Sequence, residues 1–245
     1  MKKNIVLAVL VGFAALALRP SFAGPKDKKT AQVVDAGAFD IYVNGKRVGT
    51  ETFHIEQRTD VSVASSEIKV EDGANKADQT SEMQVGPDGA LKLYTWRSMS
   101  PQKEESILEP KDQFLVEHLT SADQKKRDLP YVLPPSTVIL DDNFFSQREV
   151  LVWRYLAQGC IIKDGARSCG PGHFGTLVPR QHAPGHAVME IVGRDKITVK
   201  GVEREMNKLK LDNDGVQWLL WVEDSYPYKV DRITVPGENI EIVRE

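Results

Sequence analysis

Hydrophobic and polar residues alternate along most of the chain from residue 39 onward, which predicts half-buried β-strands. In the first run, Phe39, Ile41 and Val43 alternate with polar neighbours and lead into Asn44-Gly45. A type I′ turn favours this dipeptide because both of its central residues need positive φ angles. The chain should therefore form a β-hairpin here.

The same alternation recurs in further runs that are separated by turn signals. Strand-like runs occupy residues 61–72, 79–100 and 113–123, and the second contains the turn sequence "GPDG" at 86–89. Five more short runs lie between residues 196 and 245. We expect these five to form a meander in which each strand pairs with its predecessor.

One stretch has helical rather than alternating periodicity. After three prolines that favour an extended crossing, hydrophobic residues recur at helical spacing up to Gly159. This spacing predicts one substantial helix over 142–157, with Asp141 or Asp142 as its N-cap. The stripe is expected to pack in the core and comprises Phe144, Phe145, Val150, Leu151, Trp153, Tyr155 and Leu156.

Both cysteines lie in the stretch 157–186 and are predicted to form a disulfide. If Asp164-Gly165 is the two-residue turn of a hairpin, Cys160 lies directly opposite Cys169. At a non-hydrogen-bonded position the Cα atoms are about 4.5 Å apart, which a disulfide tolerates. So short a loop should stabilise the fold by about 2–3 kcal/mol in the chain-entropy model.

Two other interpretations of this stretch stay open. Cys169 with His173, and His182 with His186, have spacings that zinc sites use, so the histidines are candidate metal ligands. A reactive thiol with His173 as its base is the third interpretation, and a disulfide would abolish it. Glycine and proline around the histidines are typical of a mobile loop.

The beginning of the chain has the features of a secretory signal peptide. A positive start, an apolar run from Ile5 to Leu18 and the small-residue site Ser21-Phe22-Ala23 predict cleavage after residue 23. Residues 24–34 should be a disordered lead-in, and 35–245 a single β-rich domain. We therefore expect a periplasmic or secreted protein, where cysteines are oxidised.

The charge of the chain argues against binding to nucleic acid. Removing Lys2, Lys3 and Arg19 from the 32 basic residues leaves 29 against 35 acidic ones, a net charge of about −6. This balance provides no basic excess for a phosphate backbone. No nucleotide-binding, nucleophile-elbow or zinc-protease motif is present in the sequence, so no catalytic residue and no cofactor are predicted.

Several short motifs resemble an exported bacterial family known as domain of unknown function 3108. They include "FDIYVNGKRVGTETFHI", "FGTLVPRQ", "ITVKGVEREMNKLKL", "VQWLLWVEDSYPYKVDRITVP" and the final "IEIVRE". This resemblance implies an open, strongly curved antiparallel sheet, similar in outline to the lipoprotein carriers LolA and LolB. The predicted Cys160–Cys169 hairpin departs from the family pattern, and the resemblance carries over no catalytic residues.

These observations together predict a mainly β protein with an incomplete barrel and one helix packed against it. Its expected function is non-catalytic binding or transport of an apolar ligand, such as a lipid, in the cell envelope. The candidate ligand-lining residues are Trp153, Trp218 and Trp221; the last two, three apart on a strand, should face opposite sides. The alternatives are an envelope interaction module with a protein partner, or a hydrolase or metal-dependent enzyme using the 173–186 histidine loop. The sequence does not indicate an oligomeric state.

Overall fold

The computed structural model describes residues 31–72, 75–163 and 166–245. The predicted signal peptide and the lead-in up to residue 30 lie outside the described residues, as does the predicted turn Asp164-Gly165. Among the described residues, no helical segment combines the length and hydrophobicity that crossing a bilayer requires.

Two meanders of antiparallel strands and one short parallel strand build one 15-stranded sheet. The first meander contains eight strands: β1 (Gln32–Val43), β2 (Lys46–Gln57), β3 (Ser62–Asp72), β4 (Asn75–Val85), β5 (Leu91–Ser100), β6 (Glu104–Lys111), β7 (Phe114–Thr120) and β8 (Lys126–Tyr131). A short strand, β9 (Val138–Ile139), precedes helix α1 (Ser146–Gln158). A separate two-stranded hairpin follows: β10 (Cys160–Lys163) and β11 (Ala166–Cys169).

The second meander completes the sheet and joins the first one through β1. It contains β12 (Gly172–Val178), β13 (Ala183–Val199), β14 (Val202–Asn213), β15 (Val216–Val222), β16 (Val230–Val235) and β17 (Ile240–Arg244). β17 pairs with β1, and β9 pairs in parallel with β12, so β8 and β9 form the two edges of the sheet.

The predicted fold class is confirmed: the sheet is curved and does not close, and one helix packs against it. The predicted meander at the end of the chain is also present, because β13 to β17 each pair with their predecessor. Asn44 and Gly45 have φ angles of 50° and 74°, as a type I′ turn requires. β1 begins at Gln32, so residues 32–34 belong to the sheet and not to a lead-in.

The helix begins four residues later than the sequence predicts. The backbone N–H groups of Phe145 and Ser146 donate to the Glu51 carboxylate on β2, at 2.7 and 3.3 Å, so Glu51 satisfies the helix N-terminus. The predicted cap Asp141 is fully buried and accepts hydrogen bonds from Tyr94 and Arg180 instead. The helix ends before Gly159, as predicted.

The concave face of the sheet and the inner face of α1 share one hydrophobic core. Alternate strand residues point inward, as the period of two requires. The fully buried members include Phe39, Ile55, Ile68, Tyr94, Leu108, Leu115, Leu151, Tyr155, Leu209, Leu220, Ile233 and Ile242. The helix thus occupies the interior of the incomplete barrel and divides the space that remains there.

Candidate functional site

An apolar cavity lies between the C-terminal half of α1 and the concave face of β2 to β5. Its volume is about 290 Å³, and it opens beside the turn that joins β4 to β5. Its strand wall consists mainly of Ile55, Ala64, Met83, Leu91, Val138 and Ile139, and its helix wall of Val150, Leu151, Trp153, Arg154 and Ala157. We call this space the helix cavity.

The sequence creates the helix cavity through side-chain size and spacing. Trp153 and Arg154 follow Val150 by three and four residues, and Ala157 follows them by four and three, which places all four on one face of the helix. Ala64 on the facing strand β3 is buried but small. Small residues opposite each other leave space that longer side chains would fill.

Three buried polar atoms belong to residues that line the helix cavity. Thr137 Oγ1, Gln147 Nε2 and Trp153 Nε1 all lack a hydrogen-bond partner among the described residues. Nearly all buried polar groups in proteins are paired, so an unpaired one calls for an explanation. A bound ligand or ordered waters would satisfy these atoms.

Arg154 stands at the mouth of the helix cavity. Its guanidinium donates to the backbone oxygen of Gly89 at 3.2 Å and to the side chain of Gln158 at 3.3 Å. Burial lowers the pKa of Arg154, and the negative charge of nearby Asp88 offsets part of this effect. Within the described part of the chain, no carboxylate lies within ion-pair distance of Arg154.

The three candidate tryptophans occupy different environments. Trp153 lines the helix cavity, whereas Trp218 lines a second space of about 500 Å³ near the N-terminus of α1. Trp221 lies on the opposite face of β15, as the three-residue spacing predicts. There it packs with Ile197, Val199 and Met206, and its indole N–H donates to Asp195 at 3.2 Å.

A buried carboxylate connects the two ends of the sheet. Glu117 on β7 is fully buried and accepts hydrogen bonds from Ser106 and Tyr131, both at 2.6 Å. Its second oxygen also lies 3.0 Å from Nδ1 of His182, which follows the short 3₁₀ turn Pro179–Gln181 between β12 and β13. Burial raises the pKa of Tyr131, and its hydrogen bond to Glu117 raises it further. We call the Glu117–His182 contact and its surroundings the seam.

The seam opens into a polar cleft of about 510 Å³. Arg180 and His182 line it from one side and Lys125, Lys126 and Arg127 from the other, with Glu104 and Glu105 beside them. A histidine whose Nδ1 faces a buried carboxylate is held in the orientation that general bases use. Among the described residues, no hydroxyl or thiol side chain forms a hydrogen bond with His182.

The 173–186 stretch is not a loop, which corrects the sequence interpretation. His173 lies on β12 and His186 on β13, because these strands pair from Gly172–Met189 to Val178–Ala183. Their rings are 5.5 Å apart, whereas His182 turns toward Glu117. The described residues contain no group of three or more histidine, cysteine or acidic side chains arranged to hold a metal.

The predicted disulfide between Cys160 and Cys169 is present. The strand register pairs the two residues directly, and their Cα atoms are 4.1 Å apart. The hairpin packs against the end of α1, where the hydroxyl of Tyr155 donates to the backbone oxygen of Gly170 at 3.0 Å. Both sulfurs are consumed in this bond, so neither is available as a metal ligand or nucleophile.

A cluster of buried charges, which the sequence did not predict, lies beside the first turn of α1. Arg244 on β17 contacts three carboxylates: Asp35 on β1 at 2.8 Å, Asp231 on β16 at 3.4 Å, and Glu149 on the helix. Burial raises the pKa of Glu149 well above its ordinary value. An arginine in a strand sequence and a glutamate in a helix sequence are usually surface residues, so no local signal indicates that these two are buried.

Comparison with solved structures identifies a similar fold. The crystal structure of a β-barrel-like protein of domain of unknown function DUF1849 from Brucella abortus matches 88% of this chain and 97% of its own, with a TM-score of 0.54 and 8% identity. No family model and no curated protein matches the chain. The chain therefore has a β-barrel-like fold, and membership of domain of unknown function 3108 stays a prediction.

Proposed function

We propose that the protein is exported to the cell envelope, where it binds an apolar ligand such as a lipid. One observation carries the binding part of the proposal: the apolar helix cavity of about 290 Å³, open beside the turn between β4 and β5. Small-molecule sites occupy roughly 300–1,000 Å³ and are lined mainly by hydrophobic side chains with a few polar groups. The helix cavity lies just below this range and therefore suits a single slender ligand.

Two features support an envelope location. The first is the predicted signal peptide at residues 1–23, and the second is the Cys160–Cys169 disulfide. Disulfides persist in oxidising compartments such as the periplasm and are rare in the cytosol. Likeness of the open sheet to LolA and LolB, which the motif resemblance implies, is part of the same proposal.

Native mass spectrometry of protein purified from its own envelope tests the binding proposal. We expect a stoichiometric apolar adduct that lipid extraction removes and identifies. The variant Ala64→Phe, which places a ring inside the cavity, should lose the adduct. Val202→Phe adds the same ring at an exposed position and should keep it. A clean apo mass for the wild-type protein would contradict the proposal.

A second candidate function is hydrolysis, and the seam is the observation that favours it. His182 is oriented by Glu117 and borders a polar cleft, so its other ring nitrogen could take a proton from an attacking water. The surface pair His118–Asp128, with a nitrogen–oxygen distance of 2.8 Å but outside the cleft lining, provides a matched control.

Hydrolysis of p-nitrophenyl acetate and p-nitrophenyl phosphate tests this second candidate. His182→Gln should abolish hydrolysis above the buffer rate, whereas His118→Gln should leave it unchanged. Equal rates for both variants and the wild-type protein would exclude the seam as a hydrolytic site for these esters.

A further inference from the structure

The polar residues that line the helix cavity are Gln57, Ser62, Asp88, Thr137, Gln147, Trp153, Arg154 and Gln158. Thr137, Gln147 and Trp153 each have a buried polar atom without a hydrogen-bond partner among the described residues. Trp153 and Arg154 lie next to each other on α1, and Thr137 directly precedes β9. All three residues line the same cavity, whose other walls are predominantly aliphatic. The cavity thus has an apolar body and a limited set of polar contacts.

Two of these residues offer hydrogen atoms and no acceptor to a ligand. The indole of tryptophan can only donate, and the guanidinium of arginine has five N–H donors and no acceptor. The Trp153 N–H is buried without a partner, and Thr137, which is 3% exposed, has an equally unpaired hydroxyl. Arg154 forms two hydrogen bonds within the described residues, so most of its donors remain for a ligand.

The positive charge of Arg154 at the mouth of the cavity also favours a ligand that carries an acceptor. Arg154 is half-buried and forms no ion pair within the described residues. Asp88 lies nearby on the turn between β4 and β5. Arginine binds carboxylates through two parallel N–H···O bonds, which are stronger than bonds between neutral groups. A negatively charged acceptor on the ligand would therefore complete the environment of Arg154.

We infer that the helix cavity binds a single-chain fatty acid, with the alkyl chain among the aliphatic residues and the carboxylate at Arg154. The N–H of Trp153 and the hydroxyl of Thr137 donate to the same head group or to a water that it holds. This inference rests on the proposed function, because it specifies the ligand class for the same cavity. The head group of the ligand determines specificity, because the alkyl chain makes only non-directional contacts.

Three probes with the same chain length separate the contribution of the head group to affinity from that of the chain: decanoate, 1-decanol and decylamine. Calorimetric titration of delipidated full-length mature protein should show decanoate binding at least about tenfold more tightly than decanol, the difference that one charged hydrogen bond makes. Decylamine should bind more weakly than decanol, because its ammonium would lie beside the positive charge of Arg154.

Conservative variants then locate the head group. Arg154→Gln should remove the advantage of decanoate over decanol, and Trp153→Phe should weaken decanoate while preserving the apolar wall. Arg204→Gln and Trp221→Phe, which change the same residue types outside the cavity, should have no effect.

The possible outcomes separate the two proposals. Equal affinity for the three probes, or an unchanged preference in Arg154→Gln, would overturn the fatty-acid inference while leaving apolar binding intact. Absence of binding for all three probes would overturn both the inference and the proposed function.

Discussion

The two ends of α1 lie in opposite environments although they belong to one short helix. Around its first turn, charged side chains are buried against distant strands: Glu51 binds the N-terminal N–H groups, and Glu149 contacts Arg244. Around its last two turns, the helix borders a cavity of about 290 Å³. One end is therefore held by charged hydrogen bonds, and the other leaves space unfilled.

This difference explains how a cavity persists beside a core of close-packed side chains. The helix could move inward and fill the space only by separating its N-terminus from Glu51 and Glu149 from Arg244. Separating a buried charge from its partner leaves an uncompensated charge and is strongly destabilising. The charged end thus fixes the position of the helix, and the apolar end can serve a ligand.

The largest expected effect comes from breaking the charged end. Arg244→Met removes the cation that faces Asp35, Glu149 and Asp231, so unfolding free energy in urea should fall by about 3–5 kcal/mol. The matched control Arg97→Met removes an exposed partner of Glu105 and should cost less than about 1 kcal/mol. Similar losses for both variants would show that the buried cluster does not anchor the helix.

An intermediate effect should distinguish filled from unfilled regions of the core. Ala187→Leu adds atoms at a fully buried position that borders none of the cavities described above, so it should destabilise the protein by about 1–3 kcal/mol. Ala64→Leu makes the same change inside the helix cavity and should alter stability by less than about 1 kcal/mol. Urea unfolding of both variants checks the comparison, and an equal cost at the two sites would contradict it.

The smallest effect concerns the protonation of Glu149. Because burial raises its pKa in the folded state, its carboxyl contributes stability below the unfolded pKa of about 4.3, and this contribution is lost as pH rises through the folded pKa. Glu149→Gln keeps the shape and cannot ionise, so near pH 4 its stability should lie within about 1 kcal/mol of wild type. The variant should then become relatively more stable toward pH 8; a constant difference across this range would show that Glu149 is ionised in the folded protein.

Local patterns predicted the strands and turns but not the buried charges. The Asn44-Gly45 turn and the register of Cys160 with Cys169 depend on neighbouring residues, which the sequence displays directly. The start of α1 depends on Glu51, which is 94 residues from Phe145 along the chain. A helix boundary set by so distant a side chain has no local signature.

The candidate sites show the same limit. The helical stripe identified Trp153, which lines the helix cavity, because amphipathic spacing reveals which side of a helix faces inward. The contact between His182 and Glu117 spans 65 residues, and glycine and proline near His182 suggested a loop where β12 and β13 pair. The position of the polar cleft therefore depends on how the sheet curves, which residue spacing alone does not express.

The pairing of β1 with β17 has a consequence for the order of folding events. All other strand pairs in the two meanders join neighbours along the chain, so their loop-closure entropies are small. The β1–β17 pair joins segments about two hundred residues apart, and the ion pair of Asp35 with Arg244, 209 residues apart, crosses the same junction. We expect the two meanders to form first and to dock late. The ion pairs of Arg244 that hold the helix and the slow pairing of β1 with β17 are then completed in one step.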